Sequence, residues 1–214
     1  SMLLWLVIYW YTSITSNLNI GVRHLLPIYP FTIMIVSGQI TKLGNKLPKK
    51  LLVAWNLSLV AIFGWYLAEN LRVYPYYLTY FNQIAGGPSG GYRYAVDSNL
   101  DWGQDLKRLG DWVKQNPFIN SGKEKIYLDY FGWADPAYYI DREKINWLHA
   151  GQFNSLNEFL KQNPNGGYMA VSATFYMNSL QNLQTSYIWL DSIRPAVVIG
   201  NSILIWHLTP RLNF

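Results

Sequence analysis

Two uncharged apolar runs flank a short lysine-rich stretch near the start of this chain, and no other feature constrains its fold as strongly. Leu25–Thr41 reads LLPIYPFTIMIVSGQIT and Leu51–Ala68 reads LLVAWNLSLVAIFGWYLA. Between them lies KLGNKLPKK, Lys42 to Lys50. A helix needs roughly 20 apolar residues to cross about 30 Å of hydrocarbon. The second run meets that length and the first is marginal. Pro27 and Pro30 fall near the start of the first run, where missing N–H groups cost least. A soluble helical hairpin is the alternative, but it would show polar residues every three to four positions, and these runs do not. A lysine-rich connection fits the cytoplasmic side of a membrane hairpin. Residues 12–24 and everything after Ala68 then lie outside. The predicted division is a transmembrane helical region over 1–71, with its cytoplasmic loop at 42–50, and an extracytoplasmic domain over 72–214.

Composition points the same way. Only 14% of residues are charged, against about a quarter in a soluble domain. The 10 Trp and 17 Tyr suit a membrane interface, where ring bodies are apolar and polar tips stay wet. Met2–Tyr11 (MLLWLVIYWY) is too short to span, and it lacks the basic start and cleavage site of a signal peptide. It is predicted to be the end of a membrane helix whose beginning is missing. Glu69–Tyr80 (ENLRVYPYYLTY) supplies tyrosines for the headgroup layer. The net charge of +5 comes largely from the lysines of one loop, which is not the basic face of a nucleic-acid binder. The absence of cysteine excludes disulfides, zinc–thiolate sites and thiol nucleophiles.

The remainder reads as a small α/β domain with a mixed sheet. Leu100–Gln115 has the pattern of an amphipathic helix. Lys125–Phe131 and Tyr168–Ala173 have strand character. Asp135–Tyr139 suggests a short capped helix, and Leu156–Gln162 a helix ended by NPNGG. Ala196–Leu208 reads as two strands joined at Gly200–Asn201.

Chemistry-bearing residues concentrate in two stretches. The first is DSNLDWGQD, Asp97 to Asp105. On the structural reading, Ser98, Asn99 or Asp101 caps a helix, Asp101 and Asp105 meet its dipole, and Asp105 forms a weak surface pair with Arg108. On the functional reading, Asp97, Asp101, Trp102 and Asp105 line a polar substrate pocket, with Asp101 and Asp105 on one helical face. The residues form no dense ligand cluster for a divalent metal. The second stretch is NIGVRHLLPIYP, Asn19 to Pro30. Here Arg23 offers a planar fork of donors to phosphate and His24 a proton; the alternative is an Arg that snorkels to lipid headgroups. His149 and His207 are isolated and read as structural. No Walker loop, GxSxG or HExxH motif is present.

NIGVRHLLPIYPF and YPYYLTYFNQIAGGPSGGYRYAVDSNLDWGQDLKRL together resemble the C-terminal portion of bacterial polyprenyl-phosphate-dependent membrane glycosyltransferases. These are multi-spanning GT-C enzymes akin to protein O-mannosyltransferases and the aminoarabinose transferase of lipid A. YFGWADPAYYI, GGYMAVSATFYM and RPAVVIGNSILIWHL are similar to that group's exported tail. The resemblance implies transfer of a sugar from a lipid-phosphate donor on the outer face of the cell membrane, to a glycan, lipid or protein acceptor, without a cofactor. It implies that Arg23 and His24 face the donor phosphate. It implies that the catalytic aspartate, carried in the group's first external loop, lies outside this chain. Asp97, Asp101 and Trp102 match the group's segment just beyond the membrane, to which no role attaches. Two other functions remain open from the residues: a non-catalytic membrane-anchored module binding glycans or a partner, and an Asp-based glycoside hydrolase.

Overall fold

The computed structural model describes residues 2–16, 21–182 and 185–210. The chain divides into two compact units at Tyr77/Leu78.

The first unit is helical. Helix α1 spans Met2–Thr15, a 3₁₀ segment covers Gly21–Ile28, and α2 runs over Tyr29–Lys46. Pro30 falls at the start of α2, where its missing N–H costs nothing. Leu47 and Pro48 alone interrupt the helix before α3, Lys49–Val73. The expected lysine loop is therefore mostly helix: Lys42 and Lys46 end α2, while Lys49 and Lys50 begin α3. Pro48 is the physical reason for the break, since it fixes an extended backbone and disfavours helix in the residue before it. Gly44 lets Trp55 approach closely across this turn. Trp5 of α1 packs on Phe31 of α2 with ring centroids 4.9 Å apart, and the Tyr9 hydroxyl donates to the His24 carbonyl at 2.6 Å.

Helix α3 is long and apolar enough to cross a membrane, and its apolar window is wholly unburied. Among the described residues it is the one helix with that length and hydropathy. The other expected arm, α2, buries no residue either, but its second half carries Gln39, Lys42, Asn45 and Lys46.

The second unit is a small α/β domain. After a series of short 3₁₀ turns come α4 (Leu106–Gln115), α5 (Pro117–Asn120), β1 (Ile126–Asp129) and β2 (Ile145–Trp147). They are followed by α6 (Leu156–Gln162), β3 (Gly167–Ser172), α7 (Ala173–Ser179), β4 (Val197–Ile199) and β5 (Ile203–Leu208). The sheet has five strands in the order β2-β1-β3-β5-β4. β1 pairs in parallel with β2 and β3, while β5 runs antiparallel to β3 and β4.

Both faces of the sheet are covered, which explains why its strands are apolar on both sides. Ile126, Leu128, Ala170, Ile203 and Ile205 face Leu106, Leu109 and Val113 of α4. The alternate residues Tyr127, Met169, Val171, Leu204 and Trp206 face Leu156 and Phe159 of α6 with Tyr187 and Leu190. The chain leaves β1 towards β2 on one side and leaves β3 towards β4 and β5 on the other. The carboxyl ends of β1 and β3 therefore meet at the point where the winding reverses, which is where open α/β sheets form a crevice.

Candidate functional site

The DSNLDWGQD stretch crosses those carboxyl ends. Asp97 takes a left-handed backbone with φ 55° and opens a 3₁₀ turn, Asp97–Asn99, rather than an α-helix. Its N–H donates to the Thr174 hydroxyl just after β3 (2.9 Å), and its carbonyl accepts from Leu100 N and Asp101 N at 2.9 and 2.7 Å. Helix α4 starts only at Leu106, and its cap residue Asp105 makes no side-chain cap bond. This corrects the expected helix over Leu100–Gln115, its capping by Ser98, Asn99 or Asp101, and the shared helical face of Asp101 and Asp105. Gly103, at φ 76°, prevents the helix from extending backwards.

Asp101 is 1% exposed. Its Oδ1 accepts from Gly103 N at 2.9 Å and closes the turn under Trp102. Its Oδ2 is shielded from solvent and makes no hydrogen bond of good geometry. Burial pushes the Asp101 carboxyl up to about 7, and the nearby Asp105 and Asp97 charges add to the rise. The Gly103 N–H and the Ser172 hydroxyl at the end of β3 oppose it. Ser172 in turn accepts from Phe131 N at 2.9 Å, so the hydroxyl ties β3 to the loop after β1. Tyr130 begins that loop and donates to the Gly103 carbonyl at 2.8 Å. Its phenol is pushed up to about 12, by burial first and the Asp101 charge second.

Asp105 has a different task. It is 1% exposed and forms an ion pair with Arg108, itself partly buried. Its Oδ2 accepts from the Ser202 hydroxyl at 2.6 Å and from Gln104 Nε2 at 3.3 Å. A Cβ at Gly200 would overlap this carboxylate. Asp105 thus fastens the start of α4 to the β4–β5 turn, and the expectation of a weak surface pair is corrected. With Asp105 so engaged, the exposed Asp97 is the other carboxylate of the pattern that acts beside Asp101.

Trp102 is exposed, and its indole N–H donates to the Ser98 carbonyl at 3.0 Å. Asp97, Asp101, Trp102 and Asp105 are therefore gathered in one compact loop of the second unit. Arg23 and His24 belong to the helical unit, in its 3₁₀ segment. Arg23 is exposed, whereas His24 Nε2 is shielded and has no hydrogen-bond partner among the described residues. Asn19 and Ile20 of the same motif lie outside the described residues. His207 pairs with Glu124 at 3.0 Å and stacks on Tyr168, whereas His149 is exposed after β2.

Sequence reasoning passed over several contributors. Asp129 ends β1 on the opposite face, accepts from the Tyr187 hydroxyl at 2.7 Å, and is raised by burial against that bond and the His149 charge. Tyr130, Ser172, Thr174 and Ser202 lie in stretches that carry the resemblance, but nothing in those stretches marks them individually as partners of Asp97, Asp101 or Asp105. Trp133 is fully exposed in the loop after β1. Among the described residues no group of three or more His, Asp or Glu side chains is placed to hold a metal ion. Comparison with protein-family models, curated proteins and solved structures finds no match.

Proposed function

We propose that the chain is the C-terminal part of a multi-pass membrane glycosyltransferase that moves a sugar from a polyprenyl-phosphate carrier on the outer face of the cell membrane. In this reading α2 and α3 form a bilayer hairpin bent at Leu47–Pro48, and the α/β domain stands outside. The observation that carries it is the surface of these helices. Leu52, Val53, Leu57, Val60, Ile62, Phe63 and Leu67 are all exposed on α3, an apolar area far beyond what a water-soluble monomer tolerates. Several of their polar side chains turn inward to their own backbone, which removes donors from the lipid-facing surface. Ser37 donates to Ile33 O at 2.6 Å, Thr41 to Ser37 O at 3.0 Å, Ser58 to Trp55 O at 2.7 Å and Asn70 to Tyr66 O at 2.8 Å.

The donor phosphate is assigned to Arg23 and His24. A guanidinium binds phosphate bidentately, and His24 Nε2, without a hydrogen-bond partner among the described residues, is the next nitrogen along the chain. Arg23→Ala is expected to weaken binding of a polyprenyl phosphate to the chain in nanodiscs by roughly tenfold or more, the worth of a charge-assisted bond. Unchanged affinity removes Arg23 from the site. The natural absence of cysteine makes the topology directly testable. Ser121→Cys is expected to react with an impermeant maleimide on intact cells, and Lys46→Cys only after permeabilisation. Labelling of both from one side overturns the hairpin.

A further inference from the structure

Two tryptophans stand out of the α/β domain on loops that the fold holds still. Trp133 is completely exposed and Trp102 more than half exposed. Each would lose water-contacting apolar area if it turned inward, so the fold is holding these indoles outward at a cost. The loops that carry them touch: a Cβ on Gly103 would lie 3.0 Å from Gly132 Cα. Tyr130 staples them together through its bond to the Gly103 carbonyl. The Trp102 ring is fixed across the Asp97–Asn99 turn by its bond to Ser98 O. Asp101, buried beneath, sets the turn on which Trp102 sits by accepting from Gly103 N.

We propose that Trp102 and Trp133 form a stacking platform for a neutral sugar ring, with the exposed Asp97 carboxylate accepting its hydroxyls. The platform lies at the carboxyl-end crevice between β1 and β3. Indole faces pack on the C–H faces of a pyranose, and a carboxylate binds the hydroxyls around its rim. The surroundings favour a sugar over a lipid surface. The loop that carries Trp102 also carries an exposed carboxylate, Asp97, while Asp135, two residues after Trp133, is paired with Arg142 and leaves no net positive charge beside that ring. Carboxylates are repelled by anionic headgroups and are costly in hydrocarbon. This inference rests on the glycosyltransferase reading and deepens it by assigning a carbohydrate subsite to the α/β domain.

The test is ¹⁹F NMR of the whole chain in nanodiscs, labelled with 5-fluorotryptophan. Trp102→Phe and Trp133→Phe assign the two resonances. Mannobiose, cellobiose and chitobiose are the probes. At least one is expected to shift both resonances saturably. Trp133→Ala should lower its affinity about tenfold or more while leaving the melting temperature and polyprenyl-phosphate binding unchanged. Asp97→Asn should lower the affinity without moving the Trp133 resonance of the free protein. Absence of a shift with all three disaccharides overturns the platform, as does quenching of both resonances by a spin-labelled lipid. If polyprenyl phosphate still binds in those cases, the donor-site reading survives and the platform alone fails.

Discussion

At the scale of single residues, two aspartates four positions apart have opposite electrostatic fates. Asp105 is surrounded by donors, and its removal takes the buried carboxylate from its ion pair with Arg108 and the acceptor from the Ser202 hydroxyl. Asp105→Ala should destabilise the α/β domain by about 2–4 kcal/mol, the lower part of the range for a broken buried pair because Arg108 is partly solvated. Gly200→Ala should cost at least about 2 kcal/mol through overlap with the same carboxylate and a φ of 60°. Denaturant unfolding of each variant checks both values, and a loss under 0.5 kcal/mol for either would show that the turn is not fastened this way. Asp101 has one firm donor and a shielded second oxygen. Its folded-state value near 7 lies above its ordinary 3.8. The folded state therefore holds the proton more tightly, so this stabilisation is fully present below about pH 4 and is lost as pH rises to about 7. Asp101→Asn should remove that slope and raise stability at pH 8 by about 1–4 kcal/mol, an upper range set by the size of the shift. Equal pH slopes in wild type and variant would exclude Asp101 as the titrating group.

At the scale of elements, α3 is the segment whose surroundings matter most. None of the described residues of its own unit covers its apolar window, so its stability depends on solvent. A charge at its centre tests this. Ile62→Asp should add about 3 kcal/mol to the cost of bilayer insertion and shift the protein from the integral membrane fraction to a carbonate-extractable or aggregated one. An unchanged distribution would mean that α3 does not lie in lipid. The β4–β5 hairpin shows the opposite behaviour, being specified locally. Gly200 and Asn201 adopt φ 60° and 65°, the left-handed pair of a tight hairpin turn. That pair, between two apolar runs, is legible in the sequence. So are α6, whose Ser155 caps Glu158 N at 3.2 Å, and the Asp135 cap on Ala137 N at 2.9 Å. β2 and α7 were not legible. β2 has three residues, too few for a period, and its pairing to β1 comes from the sheet. α7 opens on Ala-Thr-Phe-Tyr, a sequence that fits a strand as well as a helix.

At the scale of the molecule, the two units place contrasting demands on solvent. From Leu78 onward, two cores cover the two faces of one sheet. The piece beginning at Leu78 should therefore be monodisperse in water, with a single cooperative unfolding transition, whereas the whole chain should require detergent or lipid. Analytical ultracentrifugation of both decides this. Aggregation of the piece would show that its cores are incomplete without the helical unit.

The sequence by itself determined the apolar helices, a break between them within Lys42–Lys50 that the structure narrows to Leu47–Pro48, the β4–β5 hairpin and the alternation that makes a mixed α/β domain. Each is written in local signals: period, proline geometry and left-handed turn residues. Only the tertiary structure decided what DSNLDWGQD is. Spacing alone placed Asp101 and Asp105 on one helix, but Gly103 in a left-handed conformation ends that possibility. The charge environment of each carboxylate then comes from residues far along the chain, Ser172 for one and Ser202 for the other. Burial and partners are sums over neighbours that the fold assembles, so a pattern of aspartates cannot announce which one will be neutralised by contacts and which will be left holding its proton.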